Sequence, residues 1–382
     1  MDFTLTPEQE TLGRTITAFA RAELNAGTVE RDREQEFSRD RWLACGRLGL
    51  MGLPVPEEFG GAGADPLTTA VALDAFGYGC TDQGLVFSVC AHLLSCVVPM
   101  WKFGNEEQKR RFLPGLCDGT VVGIHAMTEP GSGSDAFALR TRAEPDGDGF
   151  RINGAKTFIS NAPVADLLIV FAVTDPAKGF HGGVSAFLVE RGAPGLTVSR
   201  KIEKMGLRTS PFGELAFDNV HVSATDQLGA LGAGSAIFTH AMDWERVCLF
   251  AAHVGAMQRL LEQSVSYART RTQFGKPIGK HQAVAHKIAD MKVRLEAARL
   301  LTYRAATRLD KSRGVALDAA IAKLFVSESL VATALDTMQV HGGYGYTVEY
   351  EVERAVRDAL GSTIYSGTSE IQRNIIASWL GL

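Results

Sequence analysis

Residues 126–138 read Ala-Met-Thr-Glu-Pro-Gly-Ser-Gly-Ser-Asp-Ala-Phe-Ala. Thr128, Glu129, Ser134 and Asp135 supply polar side chains, while Pro130, Gly131 and Gly133 argue against a regular helix or central strand. Glycines let a backbone approach a ligand closely and leave N–H groups free to point at it. Composition alone also fits a polar surface loop. A second cluster, Arg200, Lys201, Lys204 and Arg208, is a basic run that suits either a solvated face or an anionic ligand.

These residues need elements to position them. Residues 1–120 read as helical: Thr6 precedes Pro7 as a cap, and Leu12, Ile16, Phe19 and Ala20 repeat at helical spacing. Two well-buried helices are expected over 66–79 and 84–100, and Asn105 suits the cap of another. The texture changes near 121. Short strands over 138–144, 150–160, 167–173, 184–189, 196–199 and 214–222 are separated by Gly/Pro clusters, as in a small antiparallel barrel or sandwich. Helical periodicity returns from about 229, with long segments over 233–270, 282–309, 317–340 and 363–380 that imply a four-helix bundle. The expected fold is α+β and multidomain: a helical domain over 1–120, a β-domain over 121–228 and a bundle over 229–382.

The chain has 382 residues and a net charge of −4, so no global basic field invites nucleic acid or an anionic membrane. Its six cysteines show neither Cys-x-x-Cys nor zinc spacing, which predicts reduced, buried thiols, a cytoplasmic setting and no metal site. The N-terminal residues show no secretory pattern. Gly84 to Trp101 carries no Asp, Glu, Lys or Arg, but His92, two serines and Pro99 make a buried helix the better reading than a membrane span.

The stretch 126–138 resembles the first signature of the acyl-CoA dehydrogenase family at every position. Gln339, Gly342, Gly343, Gly345 and Tyr346, then Glu349, Arg354 and Asp358, resemble its second signature, in family order and spacing. The similarity covers essentially the whole chain. It implies FAD as cofactor, the same α, β, α domain order, and a homotetramer or homodimer. It also implies α,β-dehydrogenation of an acyl thioester: a carboxylate removes the α-proton while a hydride leaves the β-carbon for flavin N5, with fixed donors on the enolate-like oxygen. The resemblance places Met127, Thr128, Gly133 and Ser134 along flavin and thioester, Phe158 over the isoalloxazine, and Ile159 and Ser160 beside it. From a neighbouring subunit it brings Arg271, Phe274, Gln339, Gly343 and Thr368.

One departure matters. The family's usual base is a glutamate where this chain has Ser366, which has no useful basicity and could offer its backbone N–H only. A minority of the family carries the base on the helix opening the last domain, where this chain reads Asp243-Trp244-Glu245-Arg246. The resemblance therefore assigns the base to Glu245, with Ser134 and Arg246 on the substrate. His125 stands where an aromatic is common and marks a reshaped pocket or a tolerated variant. Stretches 79–82, 244–252, 268–279 and 361–369 resemble enzymes of antibiotic and other specialised-metabolite pathways. Some of these act on acyl or aminoacyl groups tethered to a carrier protein, including prolyl groups oxidised towards pyrrole. The implied partners are an acyl-CoA or an acyl or aminoacyl carrier protein, and electron-transferring flavoprotein or oxygen as acceptor. A non-catalytic flavin-binding homologue is the reading from a different class, and Glu245 argues against it.

Overall fold

The computed structural model describes residues 4–309, 311 and 314–382; the first three residues of the N-terminal stretch read above lie outside these. Thr6 and Gln9 form a reciprocal capping box that starts helix α1 (Pro7–Glu23), whose Ile16 and Ala20 are buried. Short helices α2 (Thr28–Glu34) and α3 (Arg39–Arg47) follow, then α4 (Pro66–Gly79) and α5 (Gln83–His92). A π-turn over Leu93–Val97 joins α5 to α6 (Val98–Phe103), and an Asn105 capping box starts α7 (Glu106–Cys117). The continuous segment Gln83–Phe103 is long and apolar enough to cross a membrane, yet 89% of its apolar window is buried inside the protein. Its side chains are core.

The middle region is a single mixed sheet rather than a purely antiparallel one. Strands β1 (Gly123–Ala126), β2 (Arg142–Asp146), β3 (Gly149–Ser160), β4 (Leu167–Val173), β5 (Val184–Glu190), β6 (Leu196–Lys201), β7 (Phe212–Ser223) and β8 (Gln227–Leu228) form it, in the order β6-β7-β3-β2-β4-β5-β8 with β1 off this path on β4. The β2–β3 hairpin turns between Asp146 and Gly149, as the Pro-Asp-Gly-Asp-Gly cluster predicts. The departure is at β4, which pairs in parallel with β1 and, at one position, with β2. Alternation on these strands feeds two cores. Leu168, Val170, Phe187 and Val189 face Ile152, Leu215 and Phe217 inside the folded sheet, while Leu167, Ile169, Phe171 and Leu188 join the helical core.

The C-terminal region contains α8 (Gly234–Trp244), a second π-turn (Glu245–Leu249), α9 (Phe250–Thr270), α10 (Gln282–Arg308) and α11 (Val315–His341). A small β9–β10 ribbon (Thr272–Gln273 and Lys276–Pro277) links α9 to α10. Helix α12 (Val352–Leu360) was hidden by its short length in the sequence, and α13 (Ser369–Trp379) starts later than 363 because Thr368 caps it. Close helix packing fixes this region to the first one. A Cβ on Gly77 of α4 would lie 1.9 Å from the Ala252 carbonyl oxygen, and one on Gly255 of α9 would lie 1.9 Å from that of Asp74. Only glycine permits that approach, which seats α9 directly on α4. Asp358 of α12, accepting from the Leu207 N–H at 2.5 Å, ties the bundle to the sheet region.

Candidate active site

The two π-turns face each other, and each carries one polar residue of the site. A π-turn inserts an extra residue into a helix and re-aims the side chains around it. In the first, Leu93–Val97, Ser95 supplies the one hydroxyl. Pro99 has no N–H to return to the Ser95 carbonyl four residues earlier. That carbonyl instead lies 3.1 Å from His125 Nδ1 on β1. In the second, Glu245 is buried, and Ser95 Oγ donates to its Oε2 at 2.5 Å. Ser366 Oγ donates to Oε1 of the same carboxylate. Both carboxylate oxygens thus accept a hydroxyl, and the side chain is held in one orientation.

Ser366 sits in a left-handed conformation at φ 58°, followed by Gly367 at φ 87°. Its carbonyl accepts from Arg246 Nε and from Gln372 Nε2, both at 3.1 Å. Arg246 therefore pins the 366–367 turn, and burial holds its guanidinium below the usual arginine range. Expected to act by its backbone N–H only, Ser366 also touches the carboxylate through its hydroxyl.

The cavity in front of Glu245 has a volume of ≈ 430 Å³. Met127, Thr128, Gly133, Ser134, Phe158, Ile159, Ser160, Arg246 and Ser366 line it together with Ser95 and His125, so the residues singled out in the sequence, Glu245 included, converge. Glu245 is its buried carboxylate, whereas Asp135 is exposed at the rim. Phe87, Phe137, Phe238, Met242 and Tyr365 complete an apolar wall that sequence reasoning missed. Their signal is only that of core aromatics, which are too common to single out. Ser95 did leave a mark: a serine four residues before a proline in a charge-free helix.

The loop itself is clasped from behind. Lys156 Nζ on β3 donates to Glu129 Oε1 and to the Met127 carbonyl, each at 2.9 Å, and Lys156 is 0% exposed. Glu129 also accepts from the Arg140 N–H at 2.7 Å and the Thr141 N–H at 3.0 Å. Burial pulls the Lys156 ammonium down to about 8. Burial opposes ionisation of Glu129, but the Lys156 charge and these hydrogen bonds outweigh it and hold the carboxyl below its usual range. Glu129 is therefore the pin that shapes the loop.

A flavin requires donors for its ring and an apolar wall against its face. The residues present fit one. A Cβ on Gly131 or Gly133 would meet nothing within 4 Å, so this backbone borders open space. The Thr128, Ser134 and Ser160 hydroxyls line the same cavity. A register shift between Lys156 and Ile159 in β3 puts Phe158 at φ 58° and leaves it 58% exposed, stacked on Phe212 at 5.9 Å. An aromatic held outward by a strained backbone beside a cavity marks a ligand wall.

Arg271, Phe274, Gln339, Gly343 and Thr368 do not line the cavity. Phe274 is 94% exposed, Arg271, Gln339 and Gly343 are exposed, and the Arg271 guanidinium lies 5.5 Å from the Tyr344 ring centre. Thr368 caps α13. The basic run is divided. Arg208 Nε donates to the Asp32 carbonyl at 2.9 Å, and Lys204 donates to the Ser210 carbonyl, its ammonium pulled to about 8 by burial. Arg200 and Lys201 remain exposed on β6.

Three family models match end to end: the acyl-CoA dehydrogenase N-terminal domain over residues 6–120, the middle domain over 125–220 and the C-terminal domain over 232–381. The chain belongs to the acyl-CoA dehydrogenase family. It is similar to an L-prolyl-[peptidyl-carrier protein] dehydrogenase of Pseudomonas fluorescens, 45% identical with all of both chains covered. Among solved structures it resembles PigA with FAD and proline (40% identity, TM-score 0.98) and butyryl-CoA dehydrogenase from Megasphaera elsdenii (37%, TM-score 0.95), covering 100% of both chains in each case. The fold is thus that of the family, and the chain is an FAD-dependent oxidoreductase acting on the CH–CH group of an acyl thioester.

Proposed function

We propose that this enzyme oxidises a prolyl group held as a thioester on a carrier protein, with Glu245 as the base. The observation that carries the mechanism is the Glu245 carboxylate, buried in the cavity and held through both oxygens by Ser95 and Ser366. Those hydroxyls keep it in position to take the proton from Cα. Thr128, Ser134 and Ser160 orient the reacting groups, and the Ser366 backbone N–H polarises the thioester carbonyl as charge develops on its oxygen. FAD, when bound, supplies the acceptor for the hydride that leaves Cβ. The first round removes the Cα proton and the Cβ hydride and forms the Cα–Cβ double bond, and a second removes a further proton and hydride from the ring. A pyrrole therefore needs two rounds, with electrons passed on to oxygen or electron-transferring flavoprotein after each. The prolyl assignment rests on likeness to the Pseudomonas relative and to the proline-bound structure.

The test is anaerobic flavin bleaching with matched thioesters. Prolyl groups on a phosphopantetheinylated carrier protein are expected to bleach the flavin, and free short-chain acyl-CoAs to do so at least about tenfold more slowly. Faster bleaching by the CoA esters would make this a CoA-level dehydrogenase and turn Arg200 and Lys201 towards CoA phosphates. In the prolyl reading those two cations face an acidic carrier.

The exposed group Arg271, Phe274, Gln339 and Gly343 suits the diphosphate end of an FAD bound mainly by a neighbouring subunit, within a homotetramer or homodimer in the cytoplasm. Arg271→Ala is expected to bind FAD at least about tenfold more weakly, since a charge-assisted hydrogen bond contributes roughly 1.5–3 kcal/mol. Flavin titration of the apoprotein measures this, and unchanged affinity would remove Arg271 from the site.

A further inference from the structure

We propose that His253 is a positioning residue: through the Tyr365 hydroxyl it fixes the turn that sets the Ser366 hydroxyl on Glu245. The inference rests on Glu245 as the base and names what holds one of its two hydroxyl donors in place. His253 lies on α9, is buried, and does not line the cavity. Its Nε2 is 2.6 Å from the Tyr365 hydroxyl oxygen. Tyr365 does line the cavity, and its ring packs on Phe87 at 4.8 Å and Phe250 at 6.0 Å. The helix that carries the base thus reaches the 365–366 pair three times. Glu245 accepts from the Ser366 hydroxyl, Arg246 Nε donates to the Ser366 carbonyl at 3.1 Å, and His253 meets the Tyr365 phenol.

The chemistry of the pair gives the reason for a histidine. Burial, together with the Lys323 charge, pulls the imidazole down to about 3, and burial raises the phenol well above its ordinary value. Both groups stay neutral near physiological pH, so the phenol keeps a hydrogen to donate to Nε2. Nδ1 is buried, and among the described residues nothing bonds to it. An apolar side chain would fill the same space without an unsatisfied nitrogen. What the histidine supplies beyond volume is the bond to Tyr365. That bond matters because Ser366 holds a left-handed φ of 58° and Gly367 follows at 87°. Such a backbone persists only where its surroundings over-determine it. Arg246 and Gln372 hold the Ser366 carbonyl, and His253 holds the residue before it. Without that anchor Tyr365 is free to turn, and the Ser366 hydroxyl loses its register on the carboxylate.

The experiment is a double-mutant cycle read by anaerobic stopped-flow flavin reduction. The substrate is whichever of prolyl carrier protein and the short acyl-CoAs reduces wild type fastest. His253→Leu is expected to slow the limiting rate about 3- to 10-fold, and Tyr365→Phe to do the same. The half-saturating substrate concentration should change less than about twofold in both. His253→Gln, which can still pair with the phenol, should recover most of the rate. In a Ser366→Ala background no hydroxyl is left to position, so His253→Leu should slow reduction less than about twofold. Flavin content and melting temperature of each variant check folding, and Tyr365→Phe carries the cycle if His253→Leu does not fold. Equal slowing with and without the Ser366 hydroxyl overturns the assignment, as does an unchanged rate. Either result leaves Glu245 as the base, whereas wild-type reduction by Glu245→Gln overturns both.

Discussion

Glu245→Gln is expected to purify yellow and to bind thioester, yet to reduce its flavin about 10²- to 10⁴-fold more slowly, the usual range for loss of a general base. Glutamine is isosteric and can still accept one of the two serine hydroxyls, so the cavity should survive. Ser95→Ala separates positioning from proton transfer. It removes the donor to Oε2 but leaves the carboxylate, and the expected loss is smaller, about tenfold. Stopped-flow flavin reduction measures both variants. A Glu245→Gln enzyme with wild-type reduction rate would move the base elsewhere, and a wild type that never reduces its flavin with any thioester would favour a non-catalytic role.

Glu129→Ala is expected to destabilise the protein by about 3–5 kcal/mol, because it leaves the Lys156 ammonium buried without its partner. The loss should appear as an earlier denaturant midpoint and a disordered flavin site, since Met127 and Thr128 hang from the same clasp. Its pH dependence follows from the direction of the Glu129 shift. The carboxyl is held below its ordinary 4.5, so its contribution is fully present above that value. It is lost as pH falls through the lowered folded value. The gap between wild type and variant should therefore hold from pH 4.5 to neutrality and close in more acid solution. A loss under about 1 kcal/mol at neutral pH would show that the clasp is not what shapes the loop.

The first-signature stretch, the helical periods on either side of a strand-rich middle, and the lack of a carboxylate at 366 beside one at 245 were all legible in the sequence. Local signals carry them: glycine and proline punctuation, a capping threonine, residue types at fixed spacing. Even the Gly84–Trp101 segment could be read as core from its histidine, serines and proline. What the sequence could not specify was which distant groups meet. Ser95 and Glu245 are 150 residues apart and share one hydrogen bond because two π-turns face each other across packed helices. The parallel β1–β4 pairing is equally non-local, and it holds His125 at the cavity. Glu129 reads as one more polar loop residue until β3 delivers Lys156 behind it. Helix periods and turn chemistry depend on neighbours within a few residues. The environment of a carboxylate depends on packing between elements, so only the tertiary structure decided which glutamate is clasped behind the loop and which one faces the cavity.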